Sequence, residues 1–178
     1  GSLFFGFLGI IYAVSNQFDK APYAVLASII LDGLDGRVAR RLDATSEFGG
    51  EFDSFSDLVA LGVAPAIMMY HWCFKAGANE FGVLICFIFV LCTALRLARF
   101  NVSDENLANF EGIPTPGSAG MVIATVNCIK WKADDPFFVA GTIQNMILIG
   151  FCTALMLALS YLMVCKIEFP SIKKMKVR

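Results

Sequence analysis

The stretch LDGLDGRVARRLDATSEFGGEFDSFSDLVAL, residues 31–61, decides the fold that we predict for this chain. Among its acidic residues are Asp32, Asp35, Asp53 and Asp57, and long apolar runs lie on both sides of the stretch. An acidic residue at the centre of a membrane helix costs roughly 2.5–3.5 kcal/mol on insertion scales. If the flanking runs are membrane helices, these four residues are therefore functional candidates by default.

The composition of the whole chain is typical of a membrane protein. Of the 178 residues, 57% are hydrophobic and 16% are charged, and the mean hydropathy is +0.69, whereas soluble domains are about 45–50% apolar. A helix needs about 20 mostly apolar residues to cross the hydrocarbon core. We therefore predict an all-α polytopic membrane protein in which residues 1–178 form a single domain with six transmembrane helices. The predicted spans are Leu3–Ser15, Tyr23–Arg41, Phe48–Phe74, Phe81–Arg99, Gly117–Trp131 and Phe138–Cys165.

The two ends of the chain and its basic residues bear on topology. Gly1-Ser2 without an initiator Met resembles a cloning remnant, so we expect natural residues upstream of the first span. Of the fourteen Lys and Arg residues, ten fall on one side of the predicted topology. The ten are Arg37, Arg40, Arg41, Arg96, Arg99, Lys166, Lys173, Lys174, Lys176 and Arg178. By the positive-inside rule, that side, with both termini and the aspartates, faces the cytoplasm.

The basic residues do not indicate a nucleic-acid partner. No basic stripe with interleaved aromatics occurs, so we expect no nucleic-acid partner.

The spacing of the aspartates predicts that they converge. Asp32 and Asp35 lie three residues apart on one helical stripe, and Gly49, Asp53 and Asp57 repeat every four residues on another. A short polar turn separates the two stripes, so the helices that carry them are antiparallel neighbours. Four carboxylates in one small volume cannot all stay ionised without a cation. Oxygen ligands suit Mg²⁺, Mn²⁺ or Ca²⁺ better than zinc, which predicts a divalent-metal site.

Two other interpretations of the acidic stripes remain open at this point. The aspartates could pair with Arg37, Arg40 and Arg41 in an ion network that only holds the two helices together. A divalent-cation transporter would also place carboxylates on facing membrane helices. Against a transporter, the fifth and sixth spans offer few polar residues that could continue a path for cations.

Eight residues with fixed gaps in this region resemble the motif of the CDP-alcohol phosphotransferase family at every defining position. They are Asp32, Asp35, Gly36, Ala39, Arg40, Gly49, Asp53 and Asp57. The six predicted spans match the architecture of that family. The resemblance extends through essentially the whole chain and implies a membrane enzyme that moves a lipid phosphate from a cytidine nucleotide to an alcohol.

The resemblance also implies a role for each motif residue. Asp32, Asp35 and Asp53 would hold two divalent ions, Mg²⁺ or Mn²⁺. Asp57 would contact the second ion and act as the general base. The residues that would line the cytidine diphosphate pocket are Gly36, Arg40 and Gly49. Thr45, in the intervening turn, either contacts the nucleotide or caps the turn. The donor would be CDP-diacylglycerol or CDP-archaeol, and the family suggests a homodimer.

The segment after the fourth span indicates the acceptor alcohol. Residues 96–101 read Arg-Leu-Ala-Arg-Phe-Asn and residues 112–117 read Gly-Ile-Pro-Thr-Pro-Gly, which resembles the phosphatidylserine synthase branch of the family. L-serine is then the expected acceptor, with Arg96 or Arg99 binding its carboxylate and Asn101 or Thr115 completing a polar pocket. Two alternatives stay open. The arginines could be ordinary flanking charges beside a proline helix start, or they could bind glycerol phosphate or inositol phosphate.

The remaining candidate ligands are interpreted as structural. The six cysteines lie inside apolar stretches without a close Cys-x-x-Cys pair, so we expect buried packing residues and neither a zinc site nor a disulfide framework. They are Cys73, Cys86, Cys92, Cys128, Cys152 and Cys165. The single histidine, His71, stands between two aromatic residues near the end of an apolar run, and we expect it to be interfacial or packed.

Overall fold

The computed structural model of the protein describes residues 1–41, 47–75, 79–102, 110–133, 142–165 and 168–169. These residues form six helices and one short antiparallel strand pair. Helix α3 runs unbroken through the stretches Glu47–Asp57, Leu58–Val63, Ala64–Met69 and Tyr70–Phe74, of which the second and fourth are π-helical. The other helices are α1 (Ser2–Val14), α2 (Ala21–Arg41), α4 (Asn79–Val102), α5 (Thr115–Ala133) and α6 (Thr142–Val164). The strands are β1 (Phe110–Glu111) and β2 (Glu168–Phe169).

The helices confirm the predicted all-α class, and each predicted span falls on one of them. The described part of the chain contains three helical segments that are long and apolar enough to cross a membrane. They are Phe48–Phe74, Glu80–Val102 and Met146–Val164. Helix α1 is apolar but has 13 residues. Membrane crossing by α1, α2 and α5 therefore stays a prediction.

Small residues let α1 pack closely against both α2 and α3. A Cβ added at Gly6 would lie 2.8 Å from the Cα of Ala60 on α3, and one added at Gly9 would lie 2.7 Å from Val25 Cγ2 on α2. Contacts this short leave no room for a side chain. At the start of α1, the buried hydroxyls of Ser2 and Ser28 are 2.9 Å apart, and the Ser28 hydroxyl also donates to the Ser2 carbonyl at 2.8 Å. Helix α2 is thereby held one turn before its first aspartate.

The π-helical stretch Leu58–Val63 follows the last motif aspartate directly and brings α4 close to α3. Its buried residue Gly62 faces Thr93 of α4, and an added Cβ would lie 3.1 Å from Thr93 Cγ2. A π-helical turn adds a residue to the helix and rotates the faces on either side relative to each other, and such turns are frequent at functional sites. Arg96, one turn beyond Thr93 on α4, therefore lies at the level of the aspartates.

Apolar side chains cover much of the outer surface of the described helices. Phe87, Phe151 and Tyr161 are more than half exposed. Lipid tails are as apolar as these side chains, so exposing such side chains to the interior of a bilayer costs little free energy. The interior is filled by side chains such as Phe74 and Phe89, both fully buried.

The structure corrects one prediction about the cysteines and places the histidine. All six cysteines are free thiols, and Cys73, Cys86 and Cys152 are buried as predicted. Cys92 and Cys165 are only half-buried, and Cys128 is exposed because it lies on a face of α5 that no other described helix covers. His71 is half-buried and contacts Tyr70 edge to face, with ring centroids 5.5 Å apart.

Candidate active site

Helices α2 and α3 bring three of the four motif aspartates together. The carboxyl group of Asp57 lies within hydrogen-bonding reach of Asp32 and close enough to Asp53 for direct electrostatic interaction. Asp32 and Asp57 are half-buried, whereas Asp53 is exposed. Because Asp53 and Asp57 are one helical turn apart and Asp32 approaches from the neighbouring helix, the trio forms an acidic cluster, which we refer to as the acidic pocket.

The acidic pocket contains carboxylate oxygens that lack a partner among the described residues. Asp32 Oδ1 and Asp57 Oδ1 are both buried without a hydrogen bond. A buried polar atom without a partner costs about 1–3 kcal/mol, and more when it is charged. A divalent cation bound by oxygen ligands would satisfy both atoms. The residues therefore fit a metal, although no three acidic, histidine or cysteine side chains of the described chain are already arranged around one point.

Asp35 is placed apart from the trio. Its side chain is 57% exposed, and its Oδ2 lies 3.4 Å from the amino group of Gly1 at the start of α1. Asp35 shares the α2 stripe with Asp32 as the spacing predicts. Its carboxylate is nevertheless directed to α1, so the structure does not bring it to Asp57.

The surfaces of α2 and α3 beside the aspartates are open. A Cβ added at Gly33 or Gly50 would meet no described atom within 4 Å. Of the residues predicted to bind the nucleotide, Gly36 is half-buried on α2 and Gly49 is exposed on α3. The side chain of Arg40 and the whole of Thr45 lie outside the described residues.

Two of the four predicted acceptor residues meet beside Asp57. The guanidinium of Arg96 on α4 interacts electrostatically with Asp57. Its Nη1 donates a short hydrogen bond to the hydroxyl of Thr115, the buried first residue of α5. The Nε of Arg96 is buried and has no partner among the described residues. Arg96 thus presents an unused donor in a partly desolvated position beside the carboxylates.

The other two predicted acceptor residues make contacts elsewhere. Arg99 Nη1 donates to the backbone carbonyl of Val164 at 2.9 Å. Asn101 accepts a hydrogen bond from the Ser54 hydroxyl at 3.1 Å and donates to Glu51 Oε2 at 3.4 Å. Arg99 therefore joins α4 to α6, and Asn101 joins α4 to α3.

Three buried residues near Arg96 were missed by the sequence analysis. The Ser118 hydroxyl lies 3.2 Å from the sulfur of Met163, and the Thr93 hydroxyl lies 3.8 Å from the same sulfur. Thr93 precedes Arg96 by three residues, and Ser118 follows Thr115 by three. The cluster of Thr93, Ser118 and Met163 is therefore one helical turn away from the Arg96–Thr115 hydrogen bond. Small hydroxyl residues and a methionine in apolar helices resemble ordinary packing residues, so no sequence signal distinguished them.

Comparisons with known proteins match most of the chain. The family model described as CDP-alcohol phosphatidyltransferase matches residues 2–162. A CDP-diacylglycerol–serine O-phosphatidyltransferase of Helicobacter pylori is 43% identical over 180 residues, covering 98% of this chain and 70% of the relative. A protein of the same name from Bacillus subtilis is 34% identical, covering 98% of this chain and 88% of the relative. An archaetidylserine synthase of Methanothermobacter thermautotrophicus is 34% identical, covering 96% of this chain and 66% of the relative.

Proposed function

Because this chain belongs to the CDP-alcohol phosphatidyltransferase family, as its aspartate motif predicted, we propose that it transfers the phosphatidyl group of CDP-diacylglycerol to the hydroxyl of L-serine and releases CMP. Relatives named for this reaction support the proposal. The relative named archaetidylserine synthase supports CDP-archaeol as an alternative donor. The observation that carries the choice of serine is the Arg96–Thr115 pair beside Asp57, because it offers a carboxylate-binding donor next to a proton acceptor.

Divalent cations are general to this family, and we propose two ions, Mg²⁺ or Mn²⁺, for this chain. Asp32, Asp53 and Asp57 would hold them, and Asp35 would join after a change of side-chain direction. The buried, unpartnered oxygens of Asp32 and Asp57 support this assignment. When bound, such ions neutralise the diphosphate and stabilise the charge that develops at the attacked phosphorus.

Asp57 is the residue that we assign as general base. The serine hydroxyl oxygen forms a bond to the lipid-bearing phosphorus, and its proton passes to the Asp57 carboxylate. The bond between that phosphorus and the oxygen of the CMP phosphate breaks, and CMP leaves with the bonding electrons. A general base must lie within hydrogen-bonding reach of the proton it takes, and the electrostatic interaction between Asp57 and Arg96 supports this position.

Arg96 and Thr115 are the residues that we assign to the serine carboxylate. A guanidinium binds a carboxylate through two parallel hydrogen bonds, and the unpartnered Nε of Arg96 is available as one of the donors. The hydrogen bond to Thr115 restricts the guanidinium to one orientation. Partial burial strengthens the charge interaction relative to open solvent. Arg99 and Asn101 are not assigned to the carboxylate, because their described contacts lead away from Asp57.

The nucleotide, the topology and the assembly complete the proposal. Gly36, Arg40, Thr45 and Gly49 would line the cytidine diphosphate pocket, and the open surface at Gly33 and Gly50 supports a groove there. The apolar helices and the family indicate a membrane protein. We propose that residues 1–178 form one transmembrane domain, that the acidic pocket faces the cytoplasm, and that the protein is a homodimer.

The competing acceptors and the transporter alternative lead to one experiment. Purified protein is supplied with CDP-diacylglycerol and Mg²⁺ or Mn²⁺, and tested separately with serine, glycerol 3-phosphate, inositol and inositol phosphate. We expect a phospholipid product together with CMP from serine alone. Preference for a phosphorylated polyol would contradict the proposed acceptor. Cation flux into liposomes without release of CMP would favour the transporter.

A further inference from the structure

The last turn of α6 accepts hydrogen bonds from two other parts of the chain. The final carbonyls of a helix lack partners within the helix and must find them elsewhere. Here the carbonyl of Leu162 accepts a hydrogen bond from the backbone N–H of Ile113 at 3.3 Å, and that of Val164 accepts one from Arg99 at 2.9 Å. The carbonyl of Tyr161 accepts the N–H of Cys165 at 2.9 Å. Partners from α4 and from the segment before α5 thus complete the end of α6.

Gly112 makes the contact between the segment before α5 and the end of α6 possible. Its φ is +74°, in the left-handed region that side chains disfavour. A Cβ at this position would lie 2.9 Å from the carbonyl oxygen of Leu162 and 3.0 Å from that of Met163. The close approach and the backbone conformation both require glycine. The pairing of β1 with β2 continues this contact beyond the end of α6.

Arg99 makes the contact between α4 and the end of α6. A cation near the C-terminal end of a helix interacts favourably with the partial negative charge of the final carbonyls. Its hydrogen bond to the carbonyl of Val164 is also charge-assisted. Arg99 lies one turn beyond Arg96 on α4, so its attachment to α6 limits where Arg96 can lie.

Buried contacts continue the same connection toward the site. The sulfur of Met163, in this last turn, lies near the hydroxyls of Thr93 and Ser118. The Ser118 hydroxyl also donates to the carbonyl of Thr115 at 2.9 Å. The end of α6 is therefore joined both to the helix that carries Arg96 and to the first turn of the helix that begins with Thr115.

We propose that Arg99 and Gly112 are positioning residues that attach α4 and the segment before α5 to the last turn of α6, and thereby hold Thr115 against Arg96. The inference deepens the proposed function, because it concerns the same acceptor pocket. Neither residue touches the acceptor. Loosening either attachment moves Arg96 and Thr115 apart, whereas the aspartates on α2 and α3 keep their places.

The test compares Gly112→Ala and Arg99→Met with the parent in two measurements. The first is amide hydrogen exchange, without any acceptor, in peptides that contain Ile113 and Cys165. The second is KM for the acceptor that the parent uses best, together with the Kd for CDP-diacylglycerol. We expect faster exchange in both variants, KM raised roughly tenfold or more, and a Kd within about threefold of the parent. Gly150→Ala is the matched control, since an added Cβ there meets no described atom within 4 Å.

The outcomes separate the positioning role from its alternatives. A higher KM with unchanged exchange in Arg99→Met would make Arg99 a ligand of the acceptor and overturn its positioning role. Faster exchange with an unchanged KM would show that the end of α6 does not control the acceptor pocket. Loss of CDP-diacylglycerol binding would mean that the whole fold depends on these contacts, which also overturns the proposal. If the parent does not turn over serine, the proposed acceptor is refuted. The positioning role is still tested in that case, by comparing hydrogen exchange and the KM for the acceptor that the parent does use between the parent and the two variants.

Discussion

Arg96 donates a hydrogen bond to Thr115 and interacts electrostatically with Asp57, so this side chain of α4 interacts with both α3 and the start of α5. The three residues are separated by 39 and 19 positions in sequence, counted from Asp57 to Arg96 and from Arg96 to Thr115. Their meeting point is where a serine with its carboxylate on Arg96 would direct its hydroxyl toward Asp57.

Replacing Arg96 should weaken acceptor use without affecting the donor. In Arg96→Met the carboxylate of serine loses its charged, two-pronged partner, so we expect the serine KM to rise roughly 100-fold, since charge-assisted hydrogen bonds are worth about 1.5–3 kcal/mol. Arg96→Lys keeps the positive charge but cannot donate two parallel hydrogen bonds, so its serine KM should lie between those of the parent and Arg96→Met. Steady-state kinetics with varied serine, and CDP-diacylglycerol binding as the control, check this. An unchanged serine KM in Arg96→Met would place the carboxylate site elsewhere.

Substitutions of Asp57 and of Asp32 should affect different steps, the first the chemical step and the second metal binding. Asp57→Asn keeps the shape of the side chain but cannot serve as an effective base, so we expect CDP-diacylglycerol binding within several-fold of the parent and single-turnover rates lower by roughly 10²-fold or more. Asp32→Asn should instead weaken metal binding, and through it the binding of the CDP-lipid. Measuring both quantities across a metal titration separates the two roles. If high metal returns Asp57→Asn to parental turnover, Asp57 is only a ligand and the base lies elsewhere.

Removing divalent ions should abolish activity reversibly. EDTA is expected to stop the release of CMP, and Mg²⁺ or Mn²⁺ to restore it, because the buried oxygens of Asp32 and Asp57 would otherwise repel the diphosphate. Mn²⁺ binding can also be followed directly by electron paramagnetic resonance in the absence of any substrate. We expect Asp32→Asn to weaken that binding by at least roughly tenfold. Full turnover of a metal-free preparation would exclude the site as proposed.

The close packing of α1 predicts a change in stability that is independent of activity. A Cβ at Gly6 would lie 2.8 Å from the backbone of Ala60, and the neighbouring helix can relieve that overlap only by shifting. Gly6→Ala should therefore lower the free energy of unfolding by about 1–3 kcal/mol, as expected for overpacking. Thermal denaturation in detergent gives the measurement. Gly120→Ala on α5, where an added Cβ meets no described atom within 4 Å, is the control and should leave the Tm unchanged or slightly higher. Equal Tm values for the parent and Gly6→Ala would contradict the packing described for α1.

Local helical geometry made several features predictable from the sequence. The all-α class follows from apolar runs whose lengths match a bilayer, and the structure has a helix at each predicted span. The convergence of Asp32, Asp53 and Asp57 follows from two features of the sequence. Asp53 and Asp57 share one face of a helix because they are four residues apart, and few residues separate that helix from the one that carries Asp32. The family followed from the same fixed spacings and is confirmed by the match over residues 2–162.

Contacts between distant segments decided what the sequence alone left open. Arg96 and Arg99 share one helical face, so spacing could not separate them. Only packing shows that Arg96 meets Thr115 and that Arg99 meets the end of α6. Asp35 has the same spacing to Asp32 that a joint site requires, yet its side chain is more than half exposed, whereas those of Asp32 and Asp57 are half-buried. For both arginines the partner comes from a segment far along the chain, and helical periodicity contains no information about which distant segment packs against a given face.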